Sequence, residues 1–268
     1  MIARNRLQIA MSLAHPAPIV KRTEVTYDAF LGGRLTIAQP AKGFRAGLDS
    51  VLLGAAVGRS SGHLLDLGAG AGTAALVALA DRPALHATLV EFDPAMASLA
   101  ADNIAANGFG DRAEIFTLDL TAPGRTRAAA GLRPDHFASI IANPPFFETG
   151  TRATARGAAA RHMSAEALDL WAKTAATHAA SGGEIVFIHI ADRLPALLAA
   201  FEARFGGITV LPLTPRDGEP AHRVLIRGIK GSRAPLTLLA SRALHTSAGR
   251  TFRAGFEAIF RGDDRLHW

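Results

Sequence analysis

The chain has 268 residues and a mass of 28.0 kDa with an apolar fraction of 49%, enough to bury one large domain, alone or with a small appendage. It contains no cysteine, which excludes disulfide staples and Cys-ligated zinc and fits a reducing, cytoplasmic compartment; no run approaches ~20 unbroken apolar residues, which excludes a membrane-spanning helix. The 29 basic residues against 23 acidic give a net charge of +6 and a pI near 10.6, a balance that favours polyanionic partners through counterion release, although an Arg- and Ala-rich composition alone produces the same sign.

Residues 1–22 carry Arg4, Arg6, Lys21 and Arg22 without an acid and read as a basic tail; Ser12 interrupts Ile9–Leu13, too short a stretch for a secretory signal. Residues 23–62 form an extension. Within it, Glu24–Gln39 alternates around Leu31-Gly32-Gly33-Arg34, which predicts a hairpin. A loop with Pro40 and Gly43 follows, then a small-residue helix through Val57 with Asp49 or Ser50 as its N-cap.

From residue 63 to 230 short apolar strands alternate with helices. The strands are His63–Leu67, Ala87–Phe92, Ala113–Leu118, Phe137–Ala142, Glu184–Ile190, Ile208–Leu211 and Arg223–Ile229. The helices are Thr73–Ala80, Pro94–Asn107, a long one capped by Ser164 and ending at His178, and Leu194–Phe205, with Gly182-Gly183 as a break before Glu184. Such alternation predicts an α/β, Rossmann-like, doubly wound and mainly parallel sheet, with the stretch from Pro212 to His222 leading into a final antiparallel pair. Residues 231–268 are Arg-rich and ambiguous between helix and loop.

The first core strand holds Asp66 and runs into Gly68-Ala69-Gly70-Ala71-Gly72, then a helix. Glycines there let a ligand approach the backbone at the carboxyl ends of the strands, where open α/β sheets bind ligands. Glu91 ends the next strand, 19 residues beyond Gly72, where an acid accepts ribose hydroxyls. A dinucleotide dehydrogenase shares this plan, but its third glycine would fall on Thr73. Asp119, ending the third strand, either caps a turn or accepts from an adenine amino group.

Asn143-Pro144-Pro145-Phe146 closes the fourth strand. The prolines stiffen the backbone and present only carbonyl acceptors, Asn143 adds an amide oxygen, and Phe146 offers a face for a flat ring. Two acceptors, Asn143 Oδ1 and the Pro144 carbonyl, suit a planar NH₂ that must pyramidalise before attacking a methyl group. The alternative is a proline turn with Phe146 or Phe147 simply buried.

With these motifs the chain resembles the class I S-adenosylmethionine-dependent methyltransferases, and among them the bacterial valine-tRNA adenine-N6 methyltransferases. The likeness runs from about Thr23 to Lys230. It includes the segment Phe44 to Ala55, Asp66 to Gly72, Val90-Glu91, Asn143 to Phe147, Ala160-Arg161-His162 and His222-Arg223-Val224-Leu225. The resemblance implies a seven-stranded sheet, with S-adenosyl-L-methionine over Asp66, Gly68, Gly70 and Gly72. It also implies ribose hydroxyls on Glu91, the cofactor's adenine near Asp119, Asp49 closing over its methionine end, and the target amine at Asn143 and Pro144. The aromatic of the amine pocket, often Tyr in the family, is Phe146, which keeps stacking and loses a phenol hydrogen bond.

Arg152, Arg156, Arg161, His162 and Lys173 follow the pocket motif and are candidate RNA ligands, because clustered cations there would hold phosphates beside a splayed base. The expected substrate is tRNA. A protein glutamine, which also presents NH₂, and the guanine N2 of ribosomal RNA are alternatives; a nicotinamide-dependent oxidoreductase and a non-catalytic RNA-binding module are more distant ones. No metal-ligand spacing and no nucleophile elbow is found.

Overall fold

A computed structural model describes residues 24–43, 45–146, 164–247 and 249–268. The basic tail, Phe147 and four of the candidate RNA ligands, Arg152, Arg156, Arg161 and His162, lie outside the described residues.

Strands β1 (Val25–Phe30) and β2 (Leu35–Pro40) pair antiparallel in a sheet of their own, in register from Val25 opposite Pro40 to Phe30 opposite Leu35. Gly32 and Gly33 make the turn at φ of +64° and +92°, a region glycine enters without a Cβ clash. Helix α1 (Leu48–Ala55) begins after Gly47 with no side-chain cap, so neither Asp49 nor Ser50 is the N-cap. The Asp49 carboxylate is instead drawn to Arg223, 2.9 Å away. The helix stops short of Val57, where the buried Arg82 guanidinium takes the Val57 carbonyl at 2.5 Å.

The core then runs β3 (Ser61–Leu67), α2 (Thr73–Ala80), β4 (Ala84–Glu91), α3 (Pro94–Ala106), β5 (Ala113–Thr117), α4 (Gly124–Ala129), β6 (Phe137–Ala142) and α5 (Ala165–His178). It continues through β7 (Ala179–Ile190), α6 (Leu194–Glu202), β8 (Phe205–Thr214) and β9 (Arg223–Lys230). The C-terminal segment adds β10 (Thr237–Leu238), β11 (Arg242–Ala243) and α7 (Ala254–Arg261). The sheet order is β10-β8-β9-β7-β6-β3-β4-β5, with β11 also on β8. The seven long strands β3 to β9 are the seven expected; the two-residue strands raise the total to nine among the described residues.

β3, β4, β5, β6 and β7 are parallel, and β9 is antiparallel between β7 and β8. Side chains alternate between two buried layers, as period-two strands require. In β7, Ile185 and Phe187 join the layer under α5 and α6, while Val186 and Ile188 join the layer holding residues of α1, α2, α3 and α7.

Gly182 and Gly183 do not break the chain before β7. The strand starts at Ala179, directly after α5, and both glycines sit inside it at a register shift opposite β6. A Cβ on Gly183 would lie 2.9 Å from the carbonyl oxygens of Phe137 and Ala180, so only glycine fits this bulge. Pro212 likewise belongs to β8, opposite Val224, rather than to a loop.

The chain crosses the sheet after β5 and re-enters at β6, beside β3, so the topological switch point lies between β3 and β6. Register places Leu67 beside Val90 and Ala142, and Ile190 beside Arg223. Gly68, Glu91, Asn143, the end of β7 and the start of β9 therefore share one edge. No helix among the described residues is long and apolar enough to cross a membrane.

Candidate active site

The glycine turn is built by backbone geometry. Gly68, Gly70 and Gly72 take φ of +67°, +55° and +85°. A Cβ on Gly68 would meet the Trp171 ring of α5 at 2.5 Å. The turn's N–H groups are used internally. Gly68 and Ala69 donate to the Val90 carbonyl at 2.8 and 3.0 Å, Gly72 to the Ala69 carbonyl at 2.8 Å, and Gly70 to Glu91 Oε2 at 2.9 Å. These four N–H groups of the turn are therefore not free to face a ligand.

Asp66 is buried, and its Oδ2 accepts from Ala75 N at 3.1 Å, inside the first turn of α2. Burial pushes its carboxyl up to about 8, against the opposing hydrogen bond from Ala75; Glu91 adds a smaller upward push. An acid thus occupies the helix start where a pyrophosphate would be held. That disfavours a dinucleotide and suits a ligand without phosphate.

Glu91 is buried and receives three backbone donors: Gly70 N on Oε2, with Phe92 N at 2.9 Å and Asp93 N at 3.0 Å on Oε1. Asp93 caps α3 through Ala95 N at 2.8 Å, with Pro94 in the first turn. Buried Asn103 of α3 ties this region to the hairpin: Oδ1 accepts from Ala38 N at 2.7 Å, and Nδ2 donates to the carbonyls of Ala38 (3.0 Å) and Ala71 (2.9 Å). Asp119 is exposed, and its Oδ1 accepts from Thr121 N and Oγ1 at 2.8 and 2.7 Å, so it caps a turn in this structure.

Asn143 stands where two clefts meet. A narrow one of about 30 Å³ is lined by Gln39, Ser50, Asp66, Gly68, Met96 and Asn143 among others. A wider one of about 330 Å³ shares Ser50 and Asn143 and includes Arg45, Asp49, His222 and Arg223. Asn143 Oδ1 is buried and has no hydrogen-bond partner among the described residues, an arrangement that natural structures avoid unless the acceptor has another use. Pro144 is buried, Pro145 exposed and Phe146 half-buried.

One face of Phe146 lies under the Arg223 guanidinium, 4.8 Å from the ring centroid. The His189 ring meets Phe146 at 5.0 Å and 64°. His189 is fully buried, and desolvation lowers it to about 4, so it is neutral near pH 7. The face under Arg223 is therefore closed to the target ring expected on Phe146.

The structure brings together Asp66, Gly68 and Asn143 on the narrow cleft, and places Gly70, Gly72 and Glu91 in the turn beside it. Asp49 joins the wider cleft rather than the narrow one. Lys173 lies on the exposed side of α5 and lines neither cleft. Gln39, Ser50, Met96, Trp171 and His189 were not foreseen as part of the site. The alternation of β2 and β7 hinted at the facing of Gln39 and His189 alone, and not at their contacts. Among the described residues no cluster of three or more His, Asp or Glu is arranged to hold a metal.

The group implied by the resemblance fits the chemistry of this edge: a carboxylate at the end of β4, an acid without a phosphate nest, and a buried amide oxygen lacking a donor. A nucleoside-sized ligand requires the narrow cleft to widen, since small-molecule sites are ~300–1,000 Å³. Met96 is the flexible wall, its Cε being the nearest atom to a Cβ built on Gly70, at 3.7 Å.

Residues 49–211 match the family model of the methyltransferase small domain. The tRNA1(Val) (adenine(37)-N6)-methyltransferase of Porphyromonas gingivalis (strain ATCC 33277) is 32% identical over 173 residues, 62% of this chain and 67% of that protein. Its counterpart from Shewanella amazonensis is 36% identical over 143 residues, 53% and 58% of the two chains. That from Flavobacteriaceae bacterium strain 3519-10 is 34% identical over 117 residues, 43% and 47%. The match thus spans from about half to two thirds of these relatives. Among solved structures, Agrobacterium tumefaciens Atu636, described as a predicted O-methyltransferase, superposes with a TM-score of 0.70 at 30% identity over 81% of this chain and 98% of that one. TYW2 from P. horikoshii in complex with MeSAdo shares the fold at a TM-score of 0.52 and 16% identity, over 78% and 73%.

Proposed function

We propose, from the premise that the chain belongs to the methyltransferase small domain family, that it is an S-adenosylmethionine-dependent N-methyltransferase of the cytoplasm. Its target is an exocyclic amine, adenine N6 of an anticodon-loop nucleotide in tRNA. The observation that carries this reading is the buried, donorless Oδ1 of Asn143 at the meeting of the two clefts.

Adenine's amino nitrogen is a weak nucleophile because its lone pair is delocalised into the ring. Asn143 Oδ1 accepts one N–H and the Pro144 carbonyl the other, which lets the nitrogen pyramidalise and turns its lone pair toward the narrow cleft. S-adenosylmethionine, when bound, would supply an electrophilic methyl group on a neutral thioether leaving group. The two oxygens then stabilise the positive charge on nitrogen, and the extra proton leaves to water afterwards, so no strong base is needed. His189, neutral behind Phe146, adds no opposing charge. Glu91, Asp66 and the glycine turn hold the cofactor, and Met96 moves to admit it.

The tRNA assignment is supported by the likeness to tRNA1(Val) adenine-N6 methyltransferases and by the Arg and His side chains of the wider cleft. A glutamine amide would satisfy Asn143 equally well but brings no phosphate for those side chains. Incubating the full chain with bulk tRNA and labelled S-adenosylmethionine, followed by nucleoside mass spectrometry, tests the reading. N6-methyladenosine is expected; label in a protein fraction or in N2-methylguanosine would replace it by an alternative.

A further inference from the structure

The wider cleft is lined by two cations, Arg45 and Arg223, two imidazoles, His222 and His245, and one carboxylate, Asp49. Arg45 is engaged elsewhere, donating to Asp28 at 2.5 Å and to Thr26 Oγ1 at 2.7 Å. Arg223 is held differently. Its Nε donates to Asp49 Oδ2 at 2.9 Å, its Nη1 to the His222 carbonyl at 3.1 Å, and its Cζ lies over the Phe146 ring, 4.8 Å from the centroid. Nη2 has no acceptor among the described residues, and the side chain remains 29% exposed. A guanidinium fixed at Nε, backed by an aromatic face and keeping one free amino group is preorganised for a phosphate oxygen, since its rotamer freedom is already lost.

We propose that Arg223, positioned by Asp49 and Phe146, binds a backbone phosphate next to the target nucleotide through Nη2. The site thereby takes a polynucleotide rather than a free nucleoside or a peptide. The inference rests on the reading that the amine at Asn143 belongs to a nucleobase. Asp49 offsets part of the positive charge, so the contact is a directed, charge-assisted hydrogen bond rather than the pull of a free cation. Phe146 links the two functions: Arg223 takes one face, and the target base has the other.

The test is a coupling measurement. Binding of an anticodon stem-loop RNA is measured in the presence of S-adenosylhomocysteine, with single methylphosphonate linkages at each position from two before to two after the target adenosine. Wild type is compared with Arg223→Gln and Asp49→Asn, and a retained thermal shift by S-adenosylhomocysteine shows that each variant is folded. One methylphosphonate is expected to weaken wild-type binding about tenfold and to leave Arg223→Gln unaffected. The salt slope of Arg223→Gln should be shallower by about 0.7, as for one lost single-strand phosphate contact. Asp49→Asn leaves Arg223 charged but removes the anion that orients it, so the coupling to the methylphosphonate should shrink while the salt slope does not become shallower. Independent, multiplying effects of Arg223→Gln and every methylphosphonate would overturn the assignment, as would wild-type binding by both variants. If wild type shows the coupling but leaves the adenosine unmethylated, the phosphate contact stands and the amine reading falls. Methylation without coupling means the reverse.

Discussion

Gly70 and Glu91 are joined by a 2.9 Å hydrogen bond from the Gly70 N–H to Oε2, which ties the glycine turn after β3 to the end of β4. With Phe92 and Asp93 donating to Oε1, three of the carboxylate's roughly four acceptor sites are already used. If, as proposed, two ribose hydroxyls rest on Glu91, both fit only where Gly70 shares its acceptor, which would couple cofactor binding to the turn through this one side chain.

Glu91→Ala removes that coupling. Affinity for S-adenosylhomocysteine should fall on the order of 10- to 100-fold, the worth of one charge-assisted hydrogen bond. Glu91→Gln, which keeps one acceptor, should fall between. Calorimetry reads both, and wild-type affinity in the alanine variant would remove Glu91 from the site.

Asp66 should make stability depend on pH in an unusual direction. Its carboxyl is raised from 3.8 to about 8 in the folded chain, so the native state holds a proton that the unfolded chain releases. Between about pH 4 and 8 stability therefore falls as pH rises, by at most about 1.4 kcal/mol per unit from this group. His189 acts oppositely between its lowered value of about 4 and 6.5, where native-state neutrality makes stability rise with pH. The clean window is thus pH 6.5 to 8. Denaturant melts of Asp66→Asn against wild type should show an advantage of the variant that grows across it; a constant difference would contradict the assigned shift.

Arg82 is a buried staple. Its guanidinium donates to the carbonyls of Ala78 (3.0 Å) and Val57 (2.5 Å), and desolvation lowers it to about 10. Arg82→Met keeps much of the packing but strands the Ala78 carbonyl in the last turn of α2 and the Val57 carbonyl just after α1, so unfolding free energy should drop by about 1–3 kcal/mol. Urea melts with an unchanged midpoint would show that water replaces the guanidinium.

Much of this edge is legible in the sequence, because local signals and tertiary placement agree there. Thr73–Ala80 and Phe137–Ala142 fall where patterning places them, and Pro94 and Ser164 mark helix starts as their chemistry dictates. Helix α4 was not foreseen, since Gly124-Arg-Thr-Arg-Ala-Ala129 has no apolar stripe; it is held by Arg127, whose Nη1 donates to the Ala122 carbonyl at 2.6 Å. Gly182 and Gly183 read as a helix stop because a bulge inside a strand uses the same residues as a loop.

The contacts around Phe146 were not legible for a different reason. Asp49 and Arg223 are 174 positions apart, and only the antiparallel register of β9 against β7 brings Arg223 over the ring. Without that register, Asp49 reads as a helix cap and its neighbour Ser50 as another. Asn103 is similar: a polar residue within α3 looks like a solvent-facing one until the hairpin edge at Ala38 supplies its partners.

The most direct measurement is single-turnover methylation of adenosine in tRNA by Asn143→Ala at saturating S-adenosylmethionine, alongside its affinity for S-adenosylhomocysteine. With one of the two NH₂ acceptors gone, the rate should fall ~100-fold or more while thioether affinity stays nearly unchanged. An undiminished rate would contradict the role given to Asn143 Oδ1.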